Sequence, residues 1–424
     1  MKASLCRAVT CTILLISSAA SAQTSLSFWN QGDATVKRFS ETVVKTFEAA
    51  KPGTKVSLEV IPNEPFKTAI QVAMSADKQP DVFFNWNGDA SGRFVRDGKV
   101  MDIGELGNGR WNGVVAANLL QSYTIDGKLY GVPISRHTAY FFYNKAFFDT
   151  HKLAPAKTTA ELRALCKEIR RLDPKAIPIV LGAKEPWTIN HYVSMLFART
   201  VPAAVRETDY ALKNAADALF ADPGYQQALE ELVAMKTDGC FNDGVNSVSP
   251  EEARSIFASE LAVMTYCGTF CVGPLVKEGF SGKYTAFRMP AVAGAKGDPD
   301  ATFYVLTGLQ IAANTKNKEA AADLINHYVG PDMQAEMVKQ LGRLPVNPAA
   351  MAKVGEIDPM IRWSIDDLNS AGAPISPLDV ELEANVSKVL LTGGQEIMNG
   401  TKTPAQLMSD VRASARDAKI RLGR

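Results

Sequence analysis

The chain has 424 residues, with 46 Lys and Arg against 45 Asp and Glu. So near to neutrality it has no long-range field for nucleic acid or an anionic membrane surface, and neither is an expected partner. Hydrophobic residues make up 46% of the sequence, and the length exceeds what one core usually supports, so two domains are expected.

Residues 1–22 read as a cleavable export signal. Lys2 and Arg7 supply a positive start, Val9 to Ile16 an apolar stretch, and Ala20-Ser21-Ala22 a cleavage site before Gln23. The apolar run is far short of the ~20 residues that span a bilayer. Cys6 and Cys11 leave with the signal, and no Cys follows the cut for lipid attachment.

The mature sequence opens with Ser25 to Trp29 as a strand, ending in the turn-prone Gln31-Gly32-Asp33. Val36, Phe39, Val43, Val44 and Phe47 then recur at helical spacing until Pro52-Gly53 stops the helix. Lys55 to Ile61 alternates as a second strand, and Phe66 to Ala76 is helical. Pro80 to Phe84 reads as a buried strand that runs into Asn85-Trp86-Asn87-Gly88-Asp89. Strand, helix, strand, helix, strand predicts a mostly parallel sheet, with ligands bound beyond the carboxyl ends of the strands.

Gly127 to Pro133 predicts a hairpin leading into a β run from Thr138 to Tyr143. A helix follows over Thr158 to Leu172, then a strand over Ile177 to Leu181 with Pro186-Trp187 in the turn beyond it. Further helices are expected over Tyr225 to Thr237 and Pro250 to Ser259. Strands follow at Leu261 to Tyr266, ending in Cys267-Gly268-Thr269-Phe270, and at Leu309 to Ala313. The last third is mainly helical: Glu319 to Tyr328, Met333 to Leu341, Pro359 to Leu368, Val380 to Leu391 and Pro404 to Leu422.

Four cysteines remain after the signal. Cys166 falls in the apolar helical pattern of Leu162, Leu165 and Ile169 and reads as a buried free thiol, while Cys240 is expected to pair with Cys267 or Cys271. No His or second Cys pair stands at zinc-ligand spacing near them, so no metal and no cofactor is expected. Signatures of hydrolytic, phosphoryl-transfer and dinucleotide chemistry (G-x-S-x-G, H-E-x-x-H, a P-loop, G-x-G-x-x-G after a strand) are missing.

What recurs at the strand ends is one aromatic ring beside small polar groups. Trp29 precedes Gln31 and Asp33, Trp86 sits among Asn85, Asn87 and Asp89, and Trp187 lies between Glu185 and Asn190. A pyranose has an apolar face that stacks on a ring and hydroxyls that need carboxylates and amides, so this grouping suits a sugar. A core role is the competing reading for each tryptophan, and a structural role for His137. Tyr304 reads equally as a pocket wall or as packing. Arg343 in Leu341-Gly342-Arg343-Leu344-Pro345 reads either as a ligand contact or as a charge on a helix C-terminus. Asp33 and Asp89 would be the acid and base of the rival reading, a secreted carbohydrate-active enzyme.

In order along the chain, Ser27-Phe28-Trp29 with Gly32-Asp33, Pro80-Asp81-Val82, Lys128 to Pro133 with Phe142-Tyr143-Asn144-Lys145, Ala262-Val263-Met264 with Gly268-Thr269-Phe270, Asn317 to Ala321 and Gly342 to Val346 resemble the family-1 extracellular solute-binding proteins of carbohydrate-importing ABC transporters, the group of the maltose-binding protein. The resemblance implies an α/β, two-lobed periplasmic-binding-protein fold (type II) with a ligand cleft between lobes. Carried over, the lobes are residues 23–136 plus 287–330 and residues 137–286 plus 331–424. Chain crossings then fall near His137–Tyr140, Ala286–Pro290 and Tyr328–Asp332.

Asp33, Trp86 and Asp89 would line the first lobe's side, and Trp187 and Phe270 the second's. Phe270 stands where the family usually has Trp, which keeps a ring but loses an indole N–H. The implied protein is a monomer that binds a mono- or oligosaccharide in the periplasm by hinge closure and hands it to the membrane permease subunits of an importer. A polyol or glycerol phosphate is the alternative ligand. The scattered basic residues Arg93, Arg136 and Arg343 favour a neutral one.

Overall fold

The computed structural model describes residues 23–107, 109–370 and 372–424, so the export signal read from residues 1–22 lies outside the described residues. No helix among the described residues is long and apolar enough to cross a membrane.

The first strand, Thr24–Gln31, alternates buried and half-buried residues and pairs in parallel with Thr54–Ile61 on one side and Val82–Trp86 on the other. Helix Ala34–Ala50 makes the crossover between the first two, burying Val36, Phe39, Val43 and Phe47. Asp33 starts this helix, its carboxylate accepting the backbone N–H of Thr35 at 2.8 Å and of Val36 at 3.1 Å. Val305–Ile311 and Val132–His137 complete a five-stranded sheet, each bonded antiparallel to its neighbour.

The expected β run across Thr138 is two strands. Val132–His137 ends in the first sheet, and Ala139–Asn144 belongs to a second sheet with Tyr284–Phe287, Ala262–Gly268 and Ile177–Val180. Thr138 is thus the first crossing, fixed by the backbone bond from Thr269 N–H to its carbonyl at 2.8 Å. Both sheets are mixed rather than mostly parallel: Ala139–Asn144 and the returning strand Val305–Ile311 each run antiparallel to both of their neighbours.

The return to the first sheet comes later than the sequence reading placed it. Phe287, Met289, Val292, Ala301 and Phe303 are buried in the second sheet's core, and Thr302–Phe303 pairs with Pro374–Ile375. The chain rejoins the first sheet only at Val305. Lys318–Val329 packs in the first core, and helix Pro331–Leu341 then straddles the two halves. Its Met337 and Leu341 face the first core, its Ala335 and Val338 the second half.

The expected disulfide is corrected. Cys166 bonds Cys240, and Cys267 bonds Cys271. Cys166 lies on the buried face of helix Thr159–Leu172, and Cys240 follows helix Pro223–Thr237, which packs on it, leaving their Cα atoms 5.0 Å apart. Cys267 finds its partner four residues on because the chain turns sharply after Gly268. The last helices also differ in detail. A short turn, Leu378–Glu381, precedes helix Ala384–Asn399, because the Glu383 side chain accepts from Asn385 N and Val386 N and starts the helix there.

Candidate functional site

Where the two sheets' carboxyl-end turns meet lies a cleft of about 540 Å³. Seven of the ten candidates from the sequence line it: Gln31, Asp33, Trp86, His137, Trp187, Phe270 and Arg343. On the first sheet's side the Trp86 ring is fixed edge-on by Phe84, 4.9 Å away at 87°, and by Phe66, 6.2 Å away at 71°. Opposite it, Trp187 packs on His191 at 5.0 Å and on Phe270 at 6.0 Å. The position of Phe270 requires Gly268. A Cβ on Gly268 would lie 2.2 Å from the Phe270 ring, so any other residue there displaces the ring.

Asn85, Asp89 and Tyr304 are not among the lining residues. Asn85 is buried beneath the wall, donating to Gln310 Oε1 at 2.8 Å and to the Ala90 carbonyl at 3.1 Å. Its own carbonyl accepts from the Tyr123 hydroxyl, so it anchors the turn that carries Trp86. Asp89 is engaged by Arg96 at 2.6 Å. Tyr304 turns aside to Arg136, and its strand neighbours Val305 and Thr307 take the wall. Trp29, the first of the three tryptophan clusters, packs against the first core.

Sequence reasoning missed Lys67, His191 and Asp379. His191 stands one helical turn beyond Trp187 on Trp187–Thr200, so its approach to that ring was readable from spacing. Lys67 holds its ammonium 5.8 Å from the Trp86 ring centroid. Asp379 sits on the short turn before the last two helices and accepts from Asn190 at 3.2 Å. No local signal marks it.

Burial governs the ionisation of these groups. His191 is pushed down to about 3 by burial and by Lys67, and His137 is lowered well below the ordinary imidazole value by burial and by Arg343, so both rings are neutral. Asp379 is raised by burial. Several buried polar atoms at the cleft have no protein partner: Trp187 Nε1, His137 Nδ1 and Arg93 Nε. Such atoms are costly to leave unpaired, and a ligand rich in hydrogen-bonding groups would pair those at the cleft.

The profile of the bacterial extracellular solute-binding proteins matches residues 32–335. A binding protein of Brucella abortus is 26% identical over 314 residues, covering 73% of this chain and 72% of that one. Among solved structures, one from work on xylan utilization by Caldanaerobius polysaccharolyticus superposes with a TM-score of 0.86 at 22% identity, covering 92% of this chain and 99% of the other. A chitin oligosaccharide binding protein gives 0.83 at 21% identity, covering 94% and 100%. With more than half of its length matched by that profile, the chain belongs to the bacterial extracellular solute-binding protein family.

Proposed function

We propose that this protein captures a saccharide between its two halves in the periplasm and delivers it to the permease subunits of an ABC importer. The observation that carries the reading is a pair of ring platforms, Trp86 on one wall and Trp187 with Phe270 on the other, flanked by polar atoms without protein partners. A sugar ring presents apolar faces to such rings and hydroxyls to such atoms. Structural neighbours described by xylan utilization and by chitin oligosaccharide binding support a saccharide.

In this reading the first lobe is residues 23–137 with the return from Val305 to Val329, and the second takes the intervening chain and the C-terminal helices. Capture proceeds by hinge closure about the crossings at Thr138, Tyr304 and Gly330. Lys277 Nζ already donates to Thr35 Oγ1 across the rim at 2.6 Å, the sort of contact that closure makes. Gln31, Asp33, His137 and Arg343 contact the ligand from the hinge end.

The protein acts without turnover. An acid–base pair of Asp33 and Asp89 has little support, since Asp33 is the N-cap of its helix and Asp89 is held by Arg96. Thermal denaturation of residues 23–424 against a panel of neutral and acidic mono- and oligosaccharides, polyols and glycerol phosphates tests the reading. A saccharide at a hundredfold excess over Kd adds about 2.7 kcal/mol of stability and is recovered unchanged. A shift with polyols or glycerol phosphates alone overturns the saccharide assignment, and chemical conversion of the ligand overturns the transport role.

A further inference from the structure

The basic residues that look scattered along the sequence are gathered by the fold. Lys67, Arg93, Arg254, Arg343 and Lys388 line the cleft against Asp33, Glu251 and Asp379. Two of the five are neutralised within the protein: Arg254 by Glu278 at 3.1 Å and Lys67 by Glu64 at 2.8 Å. Lys388 is exposed to solvent. The two half-buried guanidiniums, Arg93 and Arg343, have no carboxylate in contact among the described residues.

Their lack of a partner is built in. Arg93 shares helix Asp89–Arg96 with Asp89, but Asp89 binds Arg96 at 2.6 Å, leaving Arg93 lying over the Phe94 ring with a buried Nε unpaired. Arg343 is delivered by a forced turn. Helix Pro331–Leu341 ends at Gly342 with φ +62°, where a Cβ would come within 2.8 Å of Gly273 N. Leu344, the residue after Arg343, is tied by its carbonyl to Arg136 N at 3.0 Å. Arg343 therefore sits at the crossing between halves, near Asp33 and the buried Tyr328, and faces neutral His137. A guanidinium stays protonated, and one half-buried with no carboxylate in hydrogen-bond contact keeps its donors free for an anionic ligand.

Resting on the saccharide reading above, we infer that the ligand is an acidic sugar, a uronic acid or an oligosaccharide containing one, whose carboxylate is taken by Arg343 with Arg93 as a second anionic subsite. The planar fork of a guanidinium matches a carboxylate bidentately. A phosphate dianion fits less well. Asp33, Glu251 and Asp379 share the lining, and the helix N-terminus that would hold a phosphate at Ala34 is already occupied by the Asp33 carboxylate. The rings then stack the sugar while the guanidiniums select its charge.

The test is calorimetric titration of residues 23–424 with di- and trisaccharides of galacturonate, glucuronate and mannuronate, each beside its carboxyl-reduced neutral counterpart. One acidic series binds at least roughly 100-fold more tightly than its reduced form, as expected for a charge-assisted bidentate pair. Its Kd rises with ionic strength while that of the neutral form does not. Arg343→Gln removes most of the preference for the acid, and Arg343→Lys restores part of it with weaker affinity, a pattern that mere misfolding would not give. Arg93→Gln lowers affinity for the trisaccharide more than for the disaccharide. Equal or tighter binding of the neutral form, with no salt dependence, overturns the acidic-sugar inference and leaves the saccharide reading standing. No heat and no thermal shift with any saccharide, from a protein that melts cooperatively, overturns both.

Discussion

The two halves of the molecule hold their aromatic platforms in different ways. In the first half Trp86 is a single ring braced from behind by two core phenylalanines, on a sheet with no cysteine in it. In the second half Trp187, His191 and Phe270 brace one another, and Phe303 lies 4.5 Å from His191. That half also contains both disulfides, one deep in its core and one closing the loop that carries Phe270. A ring braced by core residues depends on the packing of its sheet. A ring cluster depends on its own loop geometry, and a short covalent ring is one way to fix it.

The largest expected effect separates the two disulfides of the second half. Cys166 and Cys240 are 74 residues apart, and Cys267 and Cys271 four. Loop-closure entropy then assigns about 4 kcal/mol to the first pair and about 2 kcal/mol to the second. Cys166→Ala/Cys240→Ala should lower urea stability by the larger amount and leave ligand affinity nearly unchanged. Cys267→Ala/Cys271→Ala should cost less stability and weaken ligand binding, because Phe270 lies inside that ring. Equal losses of affinity in both double variants would mean that the small ring does not position Phe270.

A smaller effect distinguishes the single ring from the cluster. Trp86→Ala removes the whole platform of its wall and should cost about 2–3 kcal/mol of binding, roughly 30- to 150-fold in Kd, the range of an aromatic anchor. Phe270→Ala leaves Trp187 and His191 able to share the contact and should cost about 1 kcal/mol. Calorimetry on both variants, with melting checked without ligand, decides the matter. A greater loss for Phe270→Ala would reverse the comparison.

Much of this was legible in the sequence, and the part that was not has a physical cause. The strand–helix alternation around Val36 to Phe47 came directly from periodicity, whereas the cap that Asp33 places on that helix was not anticipated. Trp86 and Trp187, singled out because strand ends in α/β folds carry ligands, both line the cleft. Asn85 was misjudged as a ligand group because a buried anchor and a site residue share the same position beside a strand end. Only its bonds to Gln310 and Tyr123, far away in sequence, tell them apart. The disulfides were mispaired because pairing depends on which helix faces which. Asp379, Arg93 and Arg343 reach the lining of one cleft from segments far apart in the chain, and no local pattern encodes such a gathering.

The smallest effect is a pH dependence located in the second wall. His191 is neutral in the folded protein, held at about 3 against an ordinary value of 6.5 by burial and by Lys67. Between those two values the unfolded chain binds a proton that the folded chain does not. Stability is therefore full above about pH 6.5 and declines as pH falls towards 3. His137 acts in the same direction. Asp379, whose carboxyl is raised by burial, acts in the opposite one, gaining stability as pH falls. The informative quantity is thus the difference between wild type and His191→Gln in urea denaturation at pH 7, 6 and 5. The variant should lose stability less steeply on acidification, since one of its two buried imidazoles is gone. Parallel curves would mean that His191 takes up its proton in the folded cleft as readily as in the unfolded chain, and the second wall would then gain a charge on acidification instead of keeping a neutral ring.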